Sequence, residues 1–308
     1  LKEIDYEILY DLGDGEYSEA GVGGIRTRTW RAGDTLEVCC FPILRLSHDA
    51  QRERERRESS AAQEALNLRR ARQRVRLLIE GNFDENDYVV HPTYDYSVAE
   101  TTFQTRAQAI AAMEKAGLPL DEDDARRDMR NYLKRIRRAM RRAGHDPKEL
   151  KYLYVMESSH EPRDEDPNPL PAHYHFHMVI HAPGLTRDQL EALWGKGYCN
   201  TRRLDFRDNG LAALANYITK QRRMNGSGGA RRTRRWACSK NLKQPEERVS
   251  DRKVSRRRAA LVAEDVRQFG REIFERCYPG YRVMEQPEVR MSAFASGAYI
   301  YARMRRQT

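Results

Sequence analysis

The sequence predicts an α+β protein, and three observations carry that prediction. Strand-like and helix-like patterns alternate between residues 87 and 221. A hydrophobic fraction of 39% with 9% aromatics is enough for a packed core, whereas 33% charged residues leave a very polar surface. The 308 residues suit one sizeable domain with extensions, or two small ones. Collagen-like, mucin-like and fully disordered chains are excluded by this composition. No run approaches the ~18 consecutive apolar residues of a membrane span. The opening LKEIDYEILYDLGDG lacks the basic-then-apolar profile of a signal peptide, so the expected setting is cytoplasmic with no membrane partner. Cys39, Cys40, Cys199, Cys238 and Cys277 include no CxxC pair, which speaks against a disulfide framework or a Cys-rich zinc site.

Taken in order, residues 1–50 read as short strands and turns, and residues 51–83 as a charged helix ended by Gly81. A strand follows at DYVVHPTY (87–94). In ARRDMRNYLKRIRRAMRR (125–142), apolar residues at 125, 129, 132, 133, 136 and 140 give a helix with one buried stripe and a basic outer face. Asp121 to Asp124 suit the helix N-terminus, and Gly144 follows its end. Strands are expected at 150–158 and at HYHFHMVIH (173–181). Thr186 with Gln189 is a capping-box signature that starts a short helix closed by Gly195. A strand at 201–207 and a helix at 209–221 complete the series, with 95–121 and 159–172 as insertions.

The order β-α-β-β-α-β is that of a ferredoxin-like, split βαβ antiparallel sheet, with helices on one face and an open catalytic face. The expected organisation is an N-terminal extension (1–60), a central domain (61–225), and a basic linker with a C-terminal extension (226–308). The last run, from Gly280, suggests two or three strands that pair with the N-terminal ones.

The charge of +10 comes from 56 Lys and Arg against 46 Asp and Glu. It is local: residues 222–258 hold fourteen basic and three acidic residues. This stretch runs from a Gly-rich hinge into Arg231, Arg232, Arg234 and Arg235, followed by Trp236. Clustered arginines pair with phosphates through counter-ion release, and an indole can stack a base. The other reading of such a patch is a solvated charged tail.

The residue pattern with chemistry in it is the strand HYHFHMVIH. Tyr174, Phe176, Met178 and Ile180 alternate with His173, His175, His177 and Val179, so the two sets point to opposite faces. Histidines two apart stand about 6.6 Å apart at Cα, a gap that two ligands of one metal can close by converging their rings. Glu157 ends the preceding strand and would pair beside them. Two imidazoles and a carboxylate suit Mg²⁺ or Mn²⁺, with zinc as the alternative. On the helix at 209–221, Tyr217 and Lys220 are neighbours three apart. A phenol near an ammonium and a metal has its anion favoured, which makes a nucleophile available.

HFH on a strand after a Glu, then LANYITKQ on a helix, resembles the HUH endonuclease superfamily, specifically single-tyrosine rolling-circle replication initiators of bacterial plasmids and phages. RVRLLIEGNFDENDYVVHPTY is similar to the helix and strand that open that domain, and RRTRRWACSKNLKQP to the basic segment after its tyrosine helix. The resemblance covers about residues 60–245. It implies that His175 and His177 bind the divalent metal with Glu157 as third ligand, that Tyr217 is the nucleophile, and that Lys220 positions it or balances its charge. Relatives often have an arginine at the place of His173, whose role is left open. The first-strand motif departs from the family's two threonines around a leucine: here it is His91-Pro92-Thr93, of which only Thr93 fits.

The implied reaction nicks and rejoins single-stranded DNA at a replication origin through a 5′-phosphotyrosine. It needs no ATP, and the chain shows no GxxxxGK[ST] loop, so unwinding falls to a host helicase. A relaxase or single-tyrosine transposase would share the chemistry. A non-enzymatic DNA-binding regulator and a zinc hydrolase are the readings of other classes.

Overall fold

A computed structural model describes residues 22–44, 61–97, 105–159, 172–205, 236–291 and 298–307. The protein is α+β, with two antiparallel sheets. Along the chain the first elements are β1 (Val22–Ala32), β2 (Thr35–Leu44), α1 (Ala61–Glu80), β3 (Tyr88–Pro92), α2 (Arg106–Lys115) and α3 (Glu122–Arg142). Then come β4 (Lys151–Ser159), β5 (His173–His181), α4 (Arg187–Ala192), β6 (Cys199–Arg203), β7 (Trp236–Cys238) and β8 (Glu246–Ser250). The last are α5 (Arg256–Glu264), α6 (Val266–Cys277), β9 (Tyr281–Val283), β10 (Glu288–Met291) and β11 (Ala298–Arg306). They form two compact units, one of residues 1–81 with 243–308 and one of residues 82–242. No described helix is long and apolar enough to cross a membrane, and all five cysteines are free thiols.

In the first unit the strands stand in the order β10-β11-β2-β1-β8, with β9 also on β11. The C-terminal strands therefore do pair with the N-terminal ones, with Ile300 opposite Cys40 and Arg305 opposite Thr35. Ile25, Val38, Cys40, Val262, Phe274, Ile300 and Met304 share its core. The β1–β2 turn requires Gly33: its φ is +56°, and a Cβ there would stand 2.8 Å from the Glu80 carbonyl oxygen. Glu37 is buried on β2 and accepts from Gln73 Nε2 at 2.8 Å and Arg76 Nε at 2.7 Å, which ties α1 to the sheet.

The second unit has the order β6-β3-β5-β4-β7. Insertion of β5 between β3 and β4 is the feature that a split βαβ unit would have. Phe176, Met178 and Ile180 of β5 pack with Ala125, Met129, Tyr132, Leu133, Ile136 and Met140 of α3 and with Leu190 of α4, so both helices cover one face. The stripe expected from periodicity is the buried stripe observed, extended by Asp128. Asp121 caps α3 by accepting from Asp124 N at 2.8 Å, and Gly144 beyond its end has φ +82°. The capping box of Thr186 and Gln189 is formed at α4.

Two expected spans change. Residues 95–121, read as an insertion, contain α2, whose Thr105 and Gln108 make a second capping box. The edge strand starts at Cys199 rather than 201 and stops at Arg203, because its buried alternate positions are Cys199 and Thr201. The face opposite the helices is open only in part. Val89, Leu153, Val155 and Val179 lie on it by register and are buried, which leaves the ends of the strands for polar groups. Residues 160–171 and the helix expected at 209–221 lie outside the described residues.

Candidate metal centre

Antiparallel register brings the acidic and imidazole side chains together. Glu157 is paired with His175 and Val155 with His177, so the three polar side chains project from the same sheet face. His175 Nε2 stands 3.1 Å from Glu157 Oε2, and His177 Nε2 stands 3.6 Å from the same oxygen. The three ligand atoms lie within 4.8 Å of one another. Around a cation held at ~2.1 Å, neighbouring ligand atoms stand about 3–3.5 Å apart, so the cluster fits a small divalent ion with modest closure. One carboxylate with two imidazoles is a donor set compatible with Mg²⁺, Mn²⁺ or Zn²⁺.

The electrostatics suit that use. Burial alone would raise the Glu157 pKa, but hydrogen bonds from His175 and His177 outweigh it and hold the carboxyl at about 2. Burial lowers the His177 pKa, with Glu157 opposing, so the imidazole favours its neutral, ligating form.

His91 belongs to this site although the residue pattern did not single it out. Its Nδ1 lies 2.7 Å from His177 Nδ1, and the rings meet edge to face with centroids 4.8 Å apart. Burial, then the neighbouring His177, brings its pKa down to about 4. The signal was legible: His91 is two before Thr93 on a strand, hence on the same face. Pro92 has no N–H to donate, so the ladder lapses after Val90 and Met178, yet the same register returns at Thr93 and His175. Pro92 therefore interrupts the hydrogen bonding without shifting the strand.

Thr93 is fixed through its backbone. Its N–H donates to Tyr198 O at 2.8 Å, and its carbonyl accepts from Trp194 Nε1 at 2.9 Å. Trp194 is fully buried against Tyr94, Tyr132 and Phe176, so the helix-side core sets where the end of β3 lies. His173 does not join the cluster; it stacks on Tyr96 with centroids 4.0 Å apart and planes 9° from parallel. Trp236 sits on β7 opposite Val155, which places it on the sheet face of the cluster. Tyr217, Lys220, Arg231, Arg232, Arg234 and Arg235 lie outside the described residues.

Residues 114–222 match a family model of replication-associated proteins, the one described by its ORF2 member. The matched segment contains Glu157, His175, His177, Tyr217 and Lys220, and stops short of Trp236. No curated protein and no solved structure matches the chain.

Proposed function

We propose that this protein initiates DNA replication by nicking and rejoining single-stranded DNA at an origin, as a metal-dependent strand transferase of the HUH type. The observation that carries the reading is the Glu157, His175 and His177 cluster on one sheet face, inside a segment that matches a replication-associated family. We assign the DNA-processing module to residues 82–242, with a ferredoxin-like sheet as its platform.

Glu157, His175 and His177 would hold the ion, Mg²⁺ or Mn²⁺, which when bound polarises the scissile phosphate and lowers the cost of its added negative charge. The Tyr217 oxygen attacks the phosphorus as phenolate, and Lys220 balances its charge. The bond from phosphorus to the 3′ oxygen breaks, and that oxygen leaves as a 3′-hydroxyl. Tyr217 then holds the 5′-phosphate. Attack by a 3′-hydroxyl reverses the step and closes the strand. One phosphoester is exchanged for another, so ATP is not consumed, and positioning supplies most of the acceleration. Arg231, Arg232, Arg234, Arg235 and Trp236 would grip the strand, with Thr93 beside the cluster, and a host helicase in the bacterial cytoplasm would unwind the duplex.

The test is incubation with circular single-stranded DNA and Mn²⁺, then denaturing electrophoresis. The expected result is a protein–DNA adduct that EDTA, Tyr217→Phe and His175→Ala each abolish. Intact binding without cleavage by the wild type would replace this reading with that of a DNA-binding regulator.

A further inference from the structure

Strand β6 is the edge of the second sheet, and its residues divide cleanly between the two faces. Cys199 and Thr201 are buried toward the helices. Asn200 and Arg202 therefore point to the other face, where register sets Asn200 opposite His91 and Arg202 opposite Val89. Tyr198 extends the same row. Its carbonyl accepts from Thr93 N at 2.8 Å, and its hydroxyl accepts from Asn200 Nδ2 at 3.3 Å. Tyr, Asn and Arg thus follow one another along the edge, all three exposed, on the face that holds the Glu157, His175 and His177 cluster.

These side chains are not consumed by the fold. Tyr198 is 68% exposed, an unusual state for a large aromatic ring. Among the described residues, Arg202 has no carboxylate partner, whereas its neighbour Arg203 donates to Asn86 O and lies over the Tyr88 ring. The Arg202 charge is close enough to His91 to help lower its pKa. Tyr198 and the ligand His175 line one open cleft of about 780 Å³, together with Thr93, Tyr96, His173 and Gly197. The cleft wall is pinned at Gly197, where a Cβ would stand 2.3 Å from Asp95 N.

We propose that Tyr198, Asn200 and Arg202 form a nucleotide-binding stripe along the β6 edge that seats unpaired DNA beside the Glu157, His175 and His177 cluster. The chemistry matches a single strand: a ring face for a base, an amide for a base edge, and a guanidinium for a phosphate. A duplex keeps its bases stacked on each other and cannot use the ring. The stripe rests on the DNA-nicking reading above for its substrate, and it adds the surface that delivers the strand from the side of the sheet away from Trp236.

The test is fluorescence anisotropy of the full chain with labelled oligothymidylate in EDTA, across a salt series, with a blunt duplex as comparison. Tyr198→Ala is expected to weaken single-strand binding roughly five- to a hundredfold, as loss of one stacked base does, while Tyr198→Phe binds like the wild type. Arg202→Ala is expected to weaken binding and to reduce the slope of log affinity against log salt by about 0.7. Thermal transitions equal to wild type show that the variants are folded. If both alanine variants keep wild-type affinity and slope, or if Tyr198→Ala weakens duplex and single strand alike, the stripe is wrong even where the wild type forms its adduct. If the stripe variants behave as expected and the wild type forms no adduct with Mn²⁺, the nicking reading falls and the stripe stands.

Discussion

Between the Nδ1 atoms of His91 and His177, 2.7 Å apart, only one proton fits. His177 turns its Nε2 toward Glu157, so a ligating His177 keeps its proton on Nδ1 and donates it to His91. His91 is in this way a positioning residue for the ligand rather than a ligand itself. His91→Ala is expected to weaken Mn²⁺ binding about tenfold or more, the usual cost of losing such a partner. Isothermal titration reads this without any DNA present, and an unchanged Mn²⁺ affinity would remove His91 from the site. His175, His177 and Glu157 were legible because strand alternation and chain order suffice to put them on one face. His91 was not, because its part depends on which strand lies beside β5, and that is a matter of pairing rather than of local pattern.

Helix α3 illustrates how far local rules reach at the scale of an element. Its cap at Asp121, its acidic first turn, its basic Arg141 and Arg142 in the last turn, and its apolar stripe all agree with one another. Asp121→Ala removes the acceptor for Asp124 N and is expected to cost about 1 kcal/mol, read as a lower urea midpoint with unchanged slope. A midpoint equal to wild type would mean that the first turn is held by other contacts. The same capping logic was present for α2 in Thr105 and Gln108, but its short apolar pattern, with Ala109 and Met113 buried, is weak beside the charged residues around it. Edge strand β6 was displaced in the sequence reading because TRRLDFR alternates as well as CNTRR does. Burial of Cys199 and Thr201 against the helix side decides between them.

At the scale of the whole molecule there are two cores, and they answer to different perturbations. Phe274 is fully buried in the first unit, among Val262, Ile300 and Met304. Phe274→Ala is expected to destabilise that unit by about 3–5 kcal/mol through the cavity it leaves, while Mn²⁺ affinity at the Glu157 cluster in the other unit stays as in wild type. Thermal unfolding and metal titration on the same sample check both halves, and a parallel loss of metal binding would overturn the separation. The first sheet joins residues far apart in sequence, such as Cys40 and Ile300, which lie on β2 and β11. A period of two shows that such segments are strands but is silent on their partners.

The sequence by itself determined the α+β class, the basic amphipathic helix, the histidine strand and the identity of the three candidate ligands. Each follows from local rules: periodicity, capping and the chemistry of side chains. Tertiary structure alone decided that Glu157 and His175 are direct neighbours, that His91 touches His177, and that Tyr198, Asn200 and Arg202 border the cluster. Those facts come from strand order and register, which are set by the fit of Phe176, Met178 and Ile180 under α3 and α4. A slip of one residue would have sent every histidine to the other face.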